Sequence, residues 1–168
     1  GDINMDDFRT FSKNKLQDSS NLIVVSNQGV TDVTPNMLQA KIDIHRPDVV
    51  ILDYMQLFMD NAKTQAMTPR MLNLSREIKL LAMSNELPIV SITAVTDEDG
   101  DKRDAPPTLK QVAWSRGIEY DANLAIAVHR PDDSDMVEII GRKNRHGSLF
   151  DFYFDVQWDE GIWEEKFD

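Results

Sequence analysis

Hydrophobic residues along this chain come in short unbroken runs, and the runs are separated by stretches with helical spacing. Leu22 to Ser26 (LIVVS), Val49 to Leu52 (VVIL) and Pro88 to Val95 (PIVSITAV) carry aliphatic and β-branched side chains with little polar alternation. Such runs predict parallel strands buried on both faces. Between the first two, Thr34-Pro35 is a good helix start, and Met37, Leu38, Lys41, Ile42 and His45 follow the helical period up to Pro47. Between the second and third, Thr68-Pro69 opens a helix that runs to about Glu86. Its apolar face is Met71, Leu72, Leu74, Ile78, Leu81 and Ala82. Upstream, Met5, Phe8, Phe11 and Leu16 predict one helix or two short ones within Gly1–Asn21, and Asn27-Gln28-Gly29 is turn material.

The second half reads differently. After the polar linker Met59–Thr68 and the third strand, Thr96 to Pro107 alternates acids and bases around Gly100 and ends in Pro106-Pro107, which predicts a mobile loop. Thr108 caps a short helix through Trp114. Strands follow over Asn123–Arg130, Val137–Arg145 and Leu149–Val156, with turns at Pro131–Ser134 and His146-Gly147. The last pair is a β-hairpin, and Trp158 and Trp163 are expected to cover the sheet end. The fold class is therefore α/β: a mostly parallel sheet flanked by helices, right-handed in its crossovers, with an antiparallel C-terminal hairpin.

A chain of 168 residues fits one domain with a substantial core. No apolar run approaches the roughly 20 residues needed to span a membrane, and the N-terminus has no signal-peptide pattern. The absence of cysteine excludes disulfides and thiolate metal sites and fits a reducing cytosol. The three histidines, His45, His129 and His146, show no ligand spacing. A net charge of −11 argues against a general nucleic-acid clamp. Its distribution matters more. Six acids against Lys166 give Asp155–Asp168 a charge of −5, whereas Arg142, Lys143 and Arg145 against Glu138 give Met136–Gly147 a charge of +2.

Candidate chemistry starts where the second run stops, at Asp53. A parallel strand delivers the residues at its C-terminal end to the crevice where α/β sheets bind ligands. A carboxylate there suits the magnesium of a nucleotide. In the C-terminal hairpin, Gly141-Arg142-Lys143-Asn144-Arg145-His146-Gly147 is the second constellation. Alternation places Lys143 and Arg145 on one face and Arg142 and Asn144 on the other, so two cations can meet one phosphate.

Asp53-Tyr54-Met55-Gln56-Leu57 resembles the Asp-Tyr-Leu-Gln-Leu signature of replicative hexameric helicases of the DnaB type. Lys143-Asn144-Arg145-His146-Gly147 resembles their Lys-x-Arg-x-Gly hairpin, and Ser115 to Ala122 resembles their Ser-Gly-Ser-Ile-Glu-Gln-Asp-Ala segment. The resemblance runs from about Asn21 to Trp158. It implies a RecA-like P-loop NTPase core, here partial. No G-x-x-x-x-G-K-[ST] phosphate loop occurs in the sequence, so the expectation is the C-terminal part of a helicase motor domain, residues 1–168, lacking the Walker A segment.

In that family Asp53 is the Walker B aspartate, holding Mg²⁺ through water. Lys143 and Arg145 are trans catalytic residues that reach a neighbour's γ-phosphate. The nucleotide-binding set is Asp53, Gln56 and Arg130, the last near the base. DNA-binding candidates are Trp114, Ser115, Arg116 and Gly117, following a loop that lines the ring's pore. Trp114 is open to two readings, stacking on a base or packing in the core. One position departs. The family's strand ends in Ser-Gln, and here Thr93-Ala94 stands in its place.

The resemblance implies ATP and Mg²⁺ as cofactors and ATP hydrolysis coupled to translocation on single-stranded DNA. It also implies a homo-hexamer, primase and helicase-loader partners, and the cytoplasm of a bacterial cell or phage-infected host. Alternatives are another RecA-like ring ATPase or a degenerate, non-enzymatic binding module.

Overall fold

The computed structural model describes residues 22–26, 32–95, 105–111 and 116–167. They belong to two units, Gly1–Thr31 and Asp32–Asp168. The helix expected within Gly1–Asn21, the turn at Asn27–Gly29 and most of the predicted mobile loop lie outside the described residues.

In the first unit, Leu22–Ser26 forms no strand, and all five residues are exposed. The buried strand expected there is not formed. A β-branched run becomes a strand only where a neighbouring backbone supplies its hydrogen bonds.

The second unit runs α1 (Pro35–His45), β1 (Val50–Leu52), α2 (Met67–Ser84), β2 (Ile89–Ser91), α3 (Arg116–Asp121), β3 (Leu124–His129), β4 (Met136–Asn144), β5 (Asp151–Gln157) and β6 (Ile162–Lys166). Thr34-Pro35 starts α1 as expected, but the Thr34 hydroxyl makes no capping bond. Asn61 Oδ1 instead accepts from the Asn36 N–H at 3.0 Å, so the linker after β1 satisfies an orphan donor of the first turn. Arg46, left-handed at φ 46°, ends the helix with its N–H on the Ile42 carbonyl.

β1 and β2 pair in parallel, Val50 with Ile89 and Leu52 with Ser91. Two further bonds continue the knit, Ile92 N–H to the Leu52 carbonyl at 3.0 Å and Met55 N–H to the Ile92 carbonyl at 2.9 Å. The expectation of burial on both faces needs correcting. Leu52 is 3% exposed, whereas Ile51 is 64% and Val90 52% exposed. Only the face carrying Val50, Leu52 and Ile89 is covered, because α1 and α2 both pack there.

The core joins Leu52 and Met55 to Met71, Leu74 and Ile78 of α2, and a second cluster joins Ile42, Leu81 and Leu87. The buried stripe of α2 is Met71, Leu74, Ser75, Ile78 and Leu81. Leu72 falls beside it and is exposed, against expectation. The i, i+3, i+4, i+7 rows centre one position away from it.

β3, β4, β5 and β6 form an antiparallel meander in sequence order. The hairpin β4–β5 is as expected. β6 is an additional edge strand: Trp163 lies on it opposite Val156, and its ring meets Phe154 at 5.9 Å and Trp158 at 6.2 Å. The short helix predicted from Thr108 is a 3-10 turn at Leu109–Gln111 in its described part, and the regular helix of this region is α3.

The linker after β1 is anchored by Asp60, fully buried. Its carboxylate accepts from Thr64 N at 2.6 Å, Thr64 Oγ1 at 2.6 Å and Asn73 Nδ2 at 2.7 Å. Burial pushes this carboxyl's pKa up, but the bonds from Thr64 and Asn73 and the charge of Arg70 outweigh it and hold the pKa below its ordinary value. A depressed folded-state pKa contributes stability above about pH 4 that fades as pH falls through the lower folded value. Asp60→Asn should therefore cost about 1–3 kcal/mol at neutral pH. In denaturant melts, the gap between wild type and variant should narrow below about pH 4. An unchanged gap down to the acid transition would count against this account.

Candidate functional site

The residues following β1 and β2 meet at the C-terminal ends of the two strands. Asp53 is exposed immediately after β1, and the Asp53–Tyr54 peptide is cis. The chain then makes a 3-10 turn, Met55–Leu57, fixed from below because Met55 is 3% exposed in the core. Gln56 projects from this turn. Its Nε2 donates to Thr93 Oγ1 at 2.8 Å, while its Oε1 is enclosed and has no partner. The ends of the parallel pair thus gather Asp53, Gln56 and Thr93, with Ala94 exposed beside Thr93.

The donor set suits one particular kind of cation. Among the described residues, no group of three or more His, Cys, Asp or Glu side chains could cage a metal. A lone carboxylate at a strand end matches magnesium, which keeps several waters and is held by one or two carboxylates plus phosphate oxygens.

A second cluster forms at the start of β3. Ser75 of α2 donates to Asp121 at 2.9 Å, Arg76 pairs with Asp121 at 3.6 Å, and Lys79 donates to Asn123 Oδ1 at 2.7 Å. These contacts fix the C-terminus of α3 and its unpaired carbonyls. Lys143 Nζ donates to the Glu119 carbonyl and, at 3.4 Å, to that of Tyr120, and Arg145 also donates to the Tyr120 carbonyl. Cations at a helix C-terminus complement its negative dipole end. Burial, then the charge of Arg145, lowers the Lys143 pKa, with Glu119 and Asp121 opposing.

Lys143 on β4 and Arg145 in the bend just after it come together at the Tyr120 carbonyl. Arg142 reaches elsewhere, donating to the Pro107 and Pro106 carbonyls at 3.0 and 3.2 Å. Asn144 bonds the Ser148 carbonyl at 2.9 Å across the turn.

Other candidates are placed apart. Arg130 stacks on Trp158 at 4.4 Å, donates to the Ser134 carbonyl at 2.8 Å and pairs with Asp135 at 3.8 Å. Those partners belong to the β3–β4 turn and the acidic C-terminal hairpin. Trp114 and Ser115 lie outside the described residues, and Arg116 opens α3. Gly117 is buried against α2, where a Cβ would meet Leu72 Cδ1 at 2.5 Å and displace that side chain. Sequence reasoning missed the α3 carbonyl seat entirely. Backbone carbonyls leave no residue-type signal.

Comparison with known proteins fits this geometry. The model of the DnaB-like helicase C-terminal domain matches residues 1–162. A protein of Chlamydia muridarum described as "Probable plasmid replicative DNA helicase" is 29% identical over 137 residues, covering 82% of this chain and 30% of that protein. The solved structure of a DnaB-like replicative helicase, described with its interactions with primase, superposes with a TM-score of 0.79 at 18% identity, over 96% of this chain and 42% of that one. A second solved structure, described as an ATPase domain, gives a TM-score of 0.71 at 19% identity, over 79% of this chain and 51% of that one. The α/β fold is thus the RecA-like one, in part, and this chain spans less than a third of the length of the Chlamydia relative. The chain belongs to the DnaB-like helicase C-terminal domain family.

Proposed function

We propose that this chain forms the part of an ATP-dependent replicative helicase motor that follows the phosphate loop. In this reading the complete protein is a ring of six subunits that hydrolyses ATP to move along single-stranded DNA. The observation that carries it is that Asp53, exposed directly after β1, and the Gln56–Thr93 bond both lie at the C-terminal ends of a parallel strand pair, in a chain of this family. Primase and a loader are the partner classes consistent with it, and the bacterial or phage-infected cytoplasm is the compartment.

Each residue has a defined task. Asp53 would hold the magnesium through water, and the ion would neutralise charge on the β- and γ-phosphates. Gln56 sits one turn on and supplies an amide at the same strand ends. Lys143 and Arg145 would serve a neighbouring subunit, leaving the α3 carbonyls to meet its terminal phosphate. A head-to-tail ring offers the nucleotide site on one side of each subunit and the hairpin on the other. Arg116, with Trp114 and Ser115 before it, would face DNA, with Gly117 buried against α2 behind it, and Arg130 would lie toward the base.

Three outcomes test this. The 168-residue chain alone should show no metal-dependent ATP turnover, because nothing in it cradles the phosphates as a phosphate loop does. Turnover abolished by Asp53→Asn in this chain would reveal a different nucleotide site.

In the full-length protein, Asp53→Asn should lower kcat about 100-fold or more. Arg145→Ala should lower it on the order of 10³-fold while leaving nucleotide binding to isolated subunits intact. Full activity in either variant would refute that residue's role.

Mixing Arg145→Ala with Asp53→Asn subunits should restore part of the activity, since some interfaces then pair an intact Asp53 with an intact Arg145. Mixed rings that assemble and regain nothing would exclude a trans role.

A further inference from the structure

The buried stripe of α2 is apolar except at Ser75. Ser75 is 6% exposed and donates to Asp121 Oδ2 at 2.9 Å, while Arg76 pairs with Asp121 Oδ1 at 3.6 Å. A serine inside a helix commonly bonds a carbonyl of its own preceding turn or points to solvent. This hydroxyl instead reaches a residue 46 positions along the chain. Docking of α3 does not require the contact, since Ile118 packs on the core cluster and Gly117 is buried against α2 one turn before Asp121. What the bond adds lies at the last residue of α3, beside the carbonyls that receive the hairpin. Lys143 and Arg145 both donate to the Tyr120 carbonyl, and Lys143 also donates to that of Glu119. The Arg145 N–H bonds the Asn123 carbonyl at 2.9 Å, so both its backbone and its side chain are seated just around Asp121.

We propose that Asp121, held by Ser75, is a positioning residue for the trans cations: it sets the Tyr120 carbonyl from which Arg145 is presented to the neighbouring subunit. This rests on the trans reading above and deepens it. A guanidinium carries its N–H donors in a rigid planar fork, so one fixed donor aims the others. Among the described residues the Arg145 side chain bonds only the Tyr120 carbonyl, and the residue is exposed. The rest of its fork is therefore oriented by that carbonyl. Lys143 differs, because it bonds two carbonyls and is only partly exposed, so it braces the seat more than it presents charge. If the last turn of α3 moves by about 1 Å, the fork moves with it, and misplacement of that size costs on the order of 10²-fold in rate. Asp121 itself touches neither nucleotide nor phosphate in this reading. It acts through the Tyr120 carbonyl.

The test uses the full-length protein with single-stranded DNA, measuring kcat, KM and nucleotide binding to isolated subunits. Asp121→Ala removes both contacts and should lower kcat about 10- to 100-fold with KM and subunit binding nearly unchanged, because only orientation is lost. Ser75→Ala keeps the carboxylate and its charge, suits the apolar stripe and favours the helix. It should lower kcat about 10-fold with the same split. Asp121→Asn retains an acceptor for the Ser75 hydroxyl and should stay within about 3-fold of wild type.

Subunit mixing tells a positioning role from a merely structural one. Mixed with Asp53→Asn subunits, Asp121→Ala should regain activity, because the intact hairpins of the former complete the sites of the latter. Mixed with Arg145→Ala it should gain nothing over the unmixed variants, since every hairpin is then impaired. In one chain, Asp121→Ala should add no loss to Arg145→Ala. Should Asp121→Ala fail to assemble, Ser75→Ala carries the same pattern. The inference is overturned by wild-type kcat in both alanine variants, by a loss confined to KM, by an Asp121→Asn as weak as Asp121→Ala, by rescue with Arg145→Ala, by no rescue with either partner, or by additive losses in the double variant. Arg145→Ala measured alongside separates the two levels. An active Arg145→Ala removes the trans reading itself; an inactive one beside an unaffected Asp121→Ala removes only the role of Asp121.

Discussion

The parallel half of the second unit depends on burying one stripe of α2 against the strand pair β1–β2. Met71 and Leu74 are fully enclosed and Ile78 nearly so, and they meet Leu52 and Met55 from the β1 side, while Leu81 packs with Ile42 and Leu87. Each such side chain contributes about 1.5–3 kcal/mol on burial, more than the roughly 0.5–1.5 kcal/mol of a single hydrogen bond. The apolar stripe therefore sets where the helix lies. The polar bonds at its margin set what else it can hold.

Two of those margins define the two halves of the candidate site. Toward β1, the fixed core under Met55 holds the 3-10 turn that carries Gln56, directly after the exposed Asp53. Toward α3, Ser75, Arg76 and Lys79 fix Asp121 and Asn123, and so the carbonyls on which Lys143 and Arg145 rest. One helix thus positions a carboxylate at one place and a cation pair at another. A trans mechanism requires that division, because a subunit that completes its neighbour must keep its own cations away from its own aspartate.

The electrostatics follow the same separation. The chain is acidic overall, at −11, yet its basic island is held by neutral carbonyls instead of carboxylates. A carbonyl seat satisfies the donors without a direct ion pair, although Glu119 and Asp121 are near enough to offset part of the Lys143 charge. Lys143 is partly desolvated and Arg145 is exposed. Arg130 is treated in the opposite way, with Asp135 beside it and Trp158 beneath it.

Local signals in the sequence determined the helices and the order of elements. Thr34-Pro35 and the stripe Met71, Leu74, Ile78, Leu81 act within a few residues, through fixed φ and a repeating period, so α1 and α2 fall where the spacing puts them. Lys143 and Arg145 do come together as the alternation predicts, but Arg145 lies just past the end of β4, and what they share is the Tyr120 carbonyl. Tertiary structure alone decided what each run meets. Leu22–Ser26 has a strand's composition without a ladder, and Ile51 and Val90 face outward because a strand's burial depends on the layers packed against it. α3 exists through Gly117 against Leu72 and Ser75 on Asp121, contacts separated by tens of residues. The Thr93 hydroxyl on Gln56 and the carbonyl seat of the cations were invisible for the same reason. A hydrogen bond between residues 37 apart, or to a backbone oxygen, is written in no residue type and arises only when folding brings the atoms together.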